Sequence, residues 1–95
     1  MADIRWSKPA LDDLDDIAHY ISRDSPKNAD SFIRGIFEMV EHLETSPELG
    51  RRVYEAEDPK LREIIYRKYR IIYQIFEENL EIVRVIHGSR QFYIR

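Results

Sequence analysis

The sequence predicts an α+β fold: a β-α-α-β-β-β chain whose antiparallel C-terminal meander packs against an N-terminal αα-hairpin. Three observations point to it. Two apolar stripes with three- and four-residue steps fill the first half, and a serine precedes each of them. Beyond Arg51 the period changes toward alternation, and β-branched and aromatic residues concentrate. The two helical stripes are joined by only a few residues around Arg23-Asp24-Ser25, which makes the helices antiparallel neighbours.

The chain opens with a short extended segment around Ile4 and Trp6. Ser7-Lys8-Pro9 follows, with Ser7 as the N-cap and Pro9 in the first helical turn, where proline is tolerated. Leu11, Leu14, Ile17, Ala18 and Ile21 form the first stripe. Asp12, Asp13, Asp15 and Asp16 take the other faces, and the first two lie near the helix N-terminus, where the dipole favours negative charge. Ser25-Pro26 begins the second helix in the same way. Its stripe is Ala29, Phe32, Ile33, Ile36, Phe37, Val40 and Leu43, ended by Thr45-Ser46-Pro47.

Leu61–Tyr66, Arg70–Phe76 and Leu80–His87 are the strands of the meander. Arg67-Lys68 and Glu77-Glu78-Asn79 are its turns, with Asn79 suited to a left-handed conformation. If Tyr66 faces Tyr69 and Phe76 faces Leu80, then Ile64, Ile71, Tyr73, Ile75, Val83 and Val85 share the face that receives the helices. Glu63, Arg70, Ile72, Gln74, Phe76, Ile82, Arg84 and Ile86 fall on the other face, which reads as a half-open surface. In this register Arg70 and Arg84 both point away from the helices.

Ninety-five residues, 43% of them hydrophobic, fit one domain over 1–95 with one modest core. No apolar run is long enough to cross a bilayer, and the N-terminus carries no apolar signal core. The chain has no cysteine, so disulfides and thiol catalysis are excluded, and a cytoplasmic protein is expected. The net charge of −3 is unevenly spread: residues 1–46 hold five Lys/Arg and ten Asp/Glu, residues 47–95 ten and eight. An acidic half and a basic half suggest two surfaces with different partners.

No metal, cofactor or nucleophile signature is present. His19, His42 and His87 lack zinc-site spacing, three glycines make no phosphate loop, and no serine sits in a nucleophile elbow. What remains is a basic cluster of Arg62, Arg67, Lys68, Arg70, Arg84, His87 and Arg90, interleaved with Tyr66, Tyr69, Tyr73, Phe92 and Tyr93. Guanidinium groups bind phosphates and rings can stack on bases, so the cluster suits nucleic acid or an acidic protein. The competing interpretation is that these arginines pair with Glu63, Glu55 and Glu57 and the tyrosines are strand formers.

Taken in order along nearly the whole chain, several segments resemble the RelE/ParE toxin superfamily. They are Ile4-Arg5-Trp6-Ser7, Ala10 through Ile21, Ser46-Pro47-Glu48-Leu49-Gly50-Arg51, Leu61-Arg62-Glu63, Tyr69-Arg70-Ile71-Ile72-Tyr73, and Val85-Ile86-His87-Gly88-Ser89-Arg90. The resemblance implies the toxin of a type II toxin–antitoxin pair, with roles such as plasmid stabilisation. It also implies a hetero-oligomer with an antitoxin that wraps the toxin with a helix and an extended segment. Tyr20 is then an antitoxin-contact candidate.

Members of the superfamily divide by target. RelE-type toxins cut mRNA on the ribosome; ParE-type toxins poison DNA gyrase without a known hydrolytic site. Arg70 and Arg90 match basic positions of the nuclease branch, with Arg62 and His87 as the accessory candidates. The branch's lysine pair falls on Arg62 and Ile64 or on Leu61 and Glu63, and Tyr93 comes earlier than its tyrosine. Arginines stabilise phosphate charge but are poor bases. The resemblance is therefore closer to ParE, with a target-binding set of Arg62, Arg70, Arg84, His87 and Arg90. The alternatives are a ribosome-dependent nuclease and a non-toxic remnant that only binds the antitoxin. On this reading, removing charge at Arg70 and Arg90 together abolishes toxicity without unfolding the protein.

Overall fold

The structure is a computed structural model and describes residues 3–92. The elements are β1 (Asp3–Trp6), α1 (Lys8–Ser22), α2 (Pro26–Thr45), a 3₁₀ turn (Pro47–Leu49), β2 (Arg51–Arg52), β3 (Leu61–Tyr66), β4 (Tyr69–Ile75) and β5 (Asn79–His87). The expected order is present, with one addition: the two-residue β2, too short to show a period. The sheet runs β1-β5-β4-β3-β2, and it is mixed, because β1 pairs in parallel with β5 while the other pairs are antiparallel. The αα-hairpin supplies the crossover that a parallel pair requires.

Both helices start where the serines predict. Ser7 Oγ accepts from Ala10 N at 3.1 Å, and Ser25 Oγ accepts from Asn28 N at 3.1 Å. Ser7 does more than cap. Its N–H donates to Ile82 O at 3.0 Å and its hydroxyl to Val83 O at 2.8 Å, so it ties the start of α1 to the middle of β5. The main core lies between helices and sheet: Leu14, Phe32, Ile36, Val40 and Leu43 pack on Ile64, Ile71, Tyr73, Leu80, Ile82 and Val85. Gly35 belongs to this packing, since a Cβ there would overlap the Tyr66 ring and hydroxyl. Leu11 and Phe37, assigned to the stripes, remain about two-fifths exposed at the margins (45% and 41%).

The Tyr66–Tyr69 pairing is as expected, with Arg67-Lys68 as the loop. The left-handed residue is Arg67, at φ 54°, and not Asn79, which is the first residue of β5. The second hairpin is set differently from the expectation: Ile75, not Phe76, faces Leu80. Farther along, Ile72 faces Arg84 while Tyr73 faces Ile82, so β5 carries one extra residue, Val83. That bulge exchanges two assignments: Ile82 joins the helix-facing core and Val83 the opposite face.

The opposite face is no half-open surface. Val53, Ala56, Leu61, Ile72, Ile86 and Phe92 form a second, smaller core there, with Val83 packed against it. The segment after β2 and the C-terminal tail supply its outer layer through Val53, Ala56 and Phe92.

Candidate functional site

Arg70 lies at the centre of this second face and is only 7% exposed. Its Nε donates to Glu63 Oε1 at 2.7 Å. Its Nη1 and Nη2 grip the Glu55 carboxylate at 2.6 and 2.8 Å, and Nη1 also donates to Arg90 O at 2.8 Å. Glu55 in turn accepts from Phe92 N at 3.1 Å. One guanidinium thus joins β4 to three segments: β3, the loop after β2, and the tail. Phe92, 4% exposed, anchors that tail by burying its ring. The electrostatics follow the geometry. The Arg70 hydrogen bonds hold the Glu55 carboxyl at about 2, and Glu55 and Glu63 push the guanidinium above its ordinary value.

Arg84 is also engaged, in a way the alternation did not indicate. It reaches toward the helical hairpin and grips Asp13 of α1, Nε to Oδ2 at 2.7 Å and Nη2 to Oδ1 at 2.9 Å. Asp13 Oδ2 also accepts from Val85 N at 2.9 Å. Ile82 is the last β5 residue paired with β1, so the carboxylate satisfies a strand N–H beyond the end of β1. The bulge at Val83 sits beside this contact.

Arg62 occupies the far end of β3, where Nη1 donates to Gly50 O at 2.9 Å. The same loop is held from inside by the buried Tyr73, whose hydroxyl donates to Pro47 O at 2.7 Å and accepts from Gly50 N at 2.8 Å. Burial raises the Tyr73 pKa, keeping that hydroxyl protonated as a donor. Gly50 has no room for a Cβ, which would lie 2.6 Å from the Tyr73 hydroxyl.

The five residues expected to form one target-facing set are therefore dispersed. Arg70 and Arg84 serve the fold through carboxylates, and Arg62 braces a loop. His87 and Arg90 remain exposed and near one another, with Arg90 N donating to His87 O at 3.0 Å. Two residues outside the expected set join them. Tyr69 faces His87 across the sheet, and Gly88 N donates to Lys68 O at 2.7 Å, so the Arg67-Lys68 turn lies beside the β5 end. The sequence signal for these two was the basic two-residue hairpin loop. Tyr93, the remaining aromatic of the cluster, lies outside the described residues.

Tyr20, on α1, is 67% exposed and borders a surface depression with Asp15, Asp16, His19 and Arg23. Among the described residues no group of three His, Asp or Glu could hold a metal, and no helix is long and apolar enough to cross a membrane.

Comparison with known proteins agrees with this architecture. The family profile described as "ParE toxin of type II toxin-antitoxin system, parDE" matches residues 4–92. The chain belongs to the ParE toxin family. A relative from Sinorhizobium fredii (strain NBRC 101917 / NGR234), named "Putative toxin Y4kP", is 34% identical over 91 residues, covering 94% of this chain and 91% of its own. Among solved structures, the one titled "Chromosomal ParDE TA system from P. aeruginosa" aligns with a TM-score of 0.77 at 24% identity, covering 94% of this chain and 98% of that one. A chain of the E. coli DinJ-YafQ complex aligns at 0.55 and 16% identity, covering 98% of this chain and 100% of that one. At these identities the two structures speak for the fold alone. The ParE toxin of this chain is thus built on a sheet whose back face is closed by its own tail.

Proposed function

We propose that this ParE-family toxin inhibits DNA gyrase by binding, without hydrolytic chemistry of its own, and that a cognate antitoxin neutralises it. The observation that carries the reading is the state of Arg70. This arginine matches the nuclease branch most directly, yet two carboxylates and a carbonyl occupy its donors. A guanidinium so engaged cannot also stabilise a scissile phosphate in the transition state. The nearby imidazole of His87 is engaged by Ser89, with Nδ1 and Oγ 2.7 Å apart.

Antitoxin binding is assigned to the helical hairpin. Tyr20 and Leu11 on α1 and Phe37 on α2 are large apolar groups left open among acidic residues. The titles of the two similar structures name a ParDE system and a DinJ-YafQ complex, and an antitoxin partner for this chain follows by analogy. A hetero-oligomer in the cytoplasm, where both partners would be met, is the expected form.

The test adds the purified protein to gyrase and supercoiled plasmid. Linear DNA trapped by the toxin is the expected product. Intact plasmid together with codon-phased cuts in ribosome-bound mRNA would assign the protein to the nuclease branch. Normal growth on full expression without antitoxin would reduce it to an antitoxin-binding remnant.

A further inference from the structure

At the end of the sheet opposite Arg62, cations are gathered without carboxylate partners among the described residues. Arg67 and Lys68 form the β3–β4 loop, His87 ends β5, and Arg90 follows three residues on. None of the four takes part in an ion pair among the described residues, whereas Arg51, Arg70 and Arg84 all do. Aromatic rings position two of the four, Arg67 and His87. Phe32 packs against Tyr66 and Tyr69 with ring centroids 5.5 and 5.2 Å apart, and Tyr69 meets the His87 ring at 5.6 Å. The Arg67 guanidinium lies over the Tyr66 ring, 5.2 Å from its centroid. The left-handed backbone at Arg67 makes the tight loop that brings the row together.

The chemistry of this row selects its partner. Its N–H groups are already used: Gly88 N by Lys68 O at 2.7 Å, Ser89 N by His87 Nδ1 at 3.2 Å, and Arg90 N by His87 O at 3.0 Å. A peptide adding itself by backbone pairing finds no free donors at these three positions. Side-chain cations are what the surface offers: two on the β3–β4 loop, one at the end of β5 and one on the segment that follows it. Side-chain cations gathered at one end of the sheet, with no ion-pair partner among the described residues, suit a densely charged polyanion. Duplex DNA carries one charge per ~1.7 Å of axis and is such a partner.

We propose that this tip of the sheet binds the phosphate backbone of duplex DNA. The proposal deepens the gyrase reading, and rests on it for its biological setting: the DNA would be that held by gyrase. The site itself is testable without gyrase. Fluorescence anisotropy with a labelled 20-base-pair duplex would compare three forms of the full chain: wild type, Arg67→Gln/Lys68→Gln/Arg90→Gln, and the charge-matched control Arg5→Gln/Arg52→Gln/Lys60→Gln. The control residues are exposed and lie away from the tip. Circular dichroism and melting would verify that each form is folded.

Wild type and control are expected to bind at about 50 mM salt and to weaken roughly 40-fold by about 200 mM, as three phosphate contacts require. The tip variant is expected to lose at least tenfold in affinity at the lower salt, with a salt dependence of only a few-fold. No binding by the wild type at low salt would overturn the proposal. So would equal losses in the tip variant and the control, which would indicate diffuse electrostatics. Binding of poly-glutamate but not duplex would also overturn it, and would assign the tip to an acidic protein. DNA binding at the tip with unaffected gyrase would instead refute only the gyrase reading.

Discussion

Replacing Arg70 by methionine keeps an unbranched apolar stem and removes the guanidinium that three segments share. Glu63, 3% exposed, would then be left with Arg51 alone, whose side chain is 64% exposed and contacts it through Nε at 3.0 Å. Glu55 retains 23% side-chain exposure and can turn toward water, so most of the penalty falls on Glu63. Breaking a buried pair by removing one partner costs about 3–5 kcal/mol. For a chain of this size that lowers the melting temperature by roughly 12 °C or more. The carboxylate left behind is the cause, so Glu63→Gln should recover about 1–2 kcal/mol in the Arg70→Met background, while destabilising the wild type. Urea denaturation of the four proteins of this cycle measures both quantities. A loss below ~1 kcal/mol in Arg70→Met, or no recovery by Glu63→Gln, would refute a structural role for Arg70. Contrary to the expectation from sequence, charge cannot be removed at Arg70 and Arg90 together without cost to the fold.

Other outcomes follow from the same contacts. Arg70 holds the Glu55 carboxyl at about 2, below its ordinary 4.5, so the tail anchor is complete above pH 4.5 and is lost as pH falls through 2. Solvent screening limits its worth to about 1–2 kcal/mol, and the Phe92 amide, which donates to Glu55, should lose protection against exchange across that window when its rate is taken relative to the intrinsic rate at each pH. Tyr73→Phe should cost about 1–3 kcal/mol in chemical denaturation, because Pro47 O and Gly50 N both lose their partner. Asp13→Ala strips Arg84 and the Val85 N–H at once, and should destabilise by about 2–3 kcal/mol in the same assay. Tyr20→Ala should leave melting unchanged, since Tyr20 is 67% exposed, yet weaken antitoxin binding about tenfold or more by calorimetry.

What could be read in the sequence was local. A serine cap announces itself by its neighbours, so Ser7 and Ser25 located both helices. The two-residue Arg67-Lys68 loop set the register of β3 and β4 because hairpin geometry depends on loop length. The bulge at Val83 was hidden, since Ile82 and Val83 are both apolar and either could face the helices. Arg84 was misplaced for the same reason: its partner Asp13 is 71 positions away, on the acidic side of α1 where solvation was the simpler expectation. The parallel pairing of β1 with β5 is also nonlocal, and four residues carry little pattern. For the site, the basic cluster was visible but not its division. Glu63 and Glu55 appeared as available partners for arginine, and only the fold showed that both converge on Arg70, leaving the Arg67, Lys68, His87 and Arg90 tip without an ion pair among the described residues.

The central claim is that this toxin works by occupancy and not by turnover. Stoichiometry tests it most directly: gyrase–DNA cleavage complexes counted while toxin is titrated against a fixed amount of gyrase. Occupancy requires linear DNA that rises with added toxin and levels off once each gyrase binding site is filled. Gyrase unaffected at every ratio, alongside many mRNA cuts per toxin molecule on ribosomes, would contradict it.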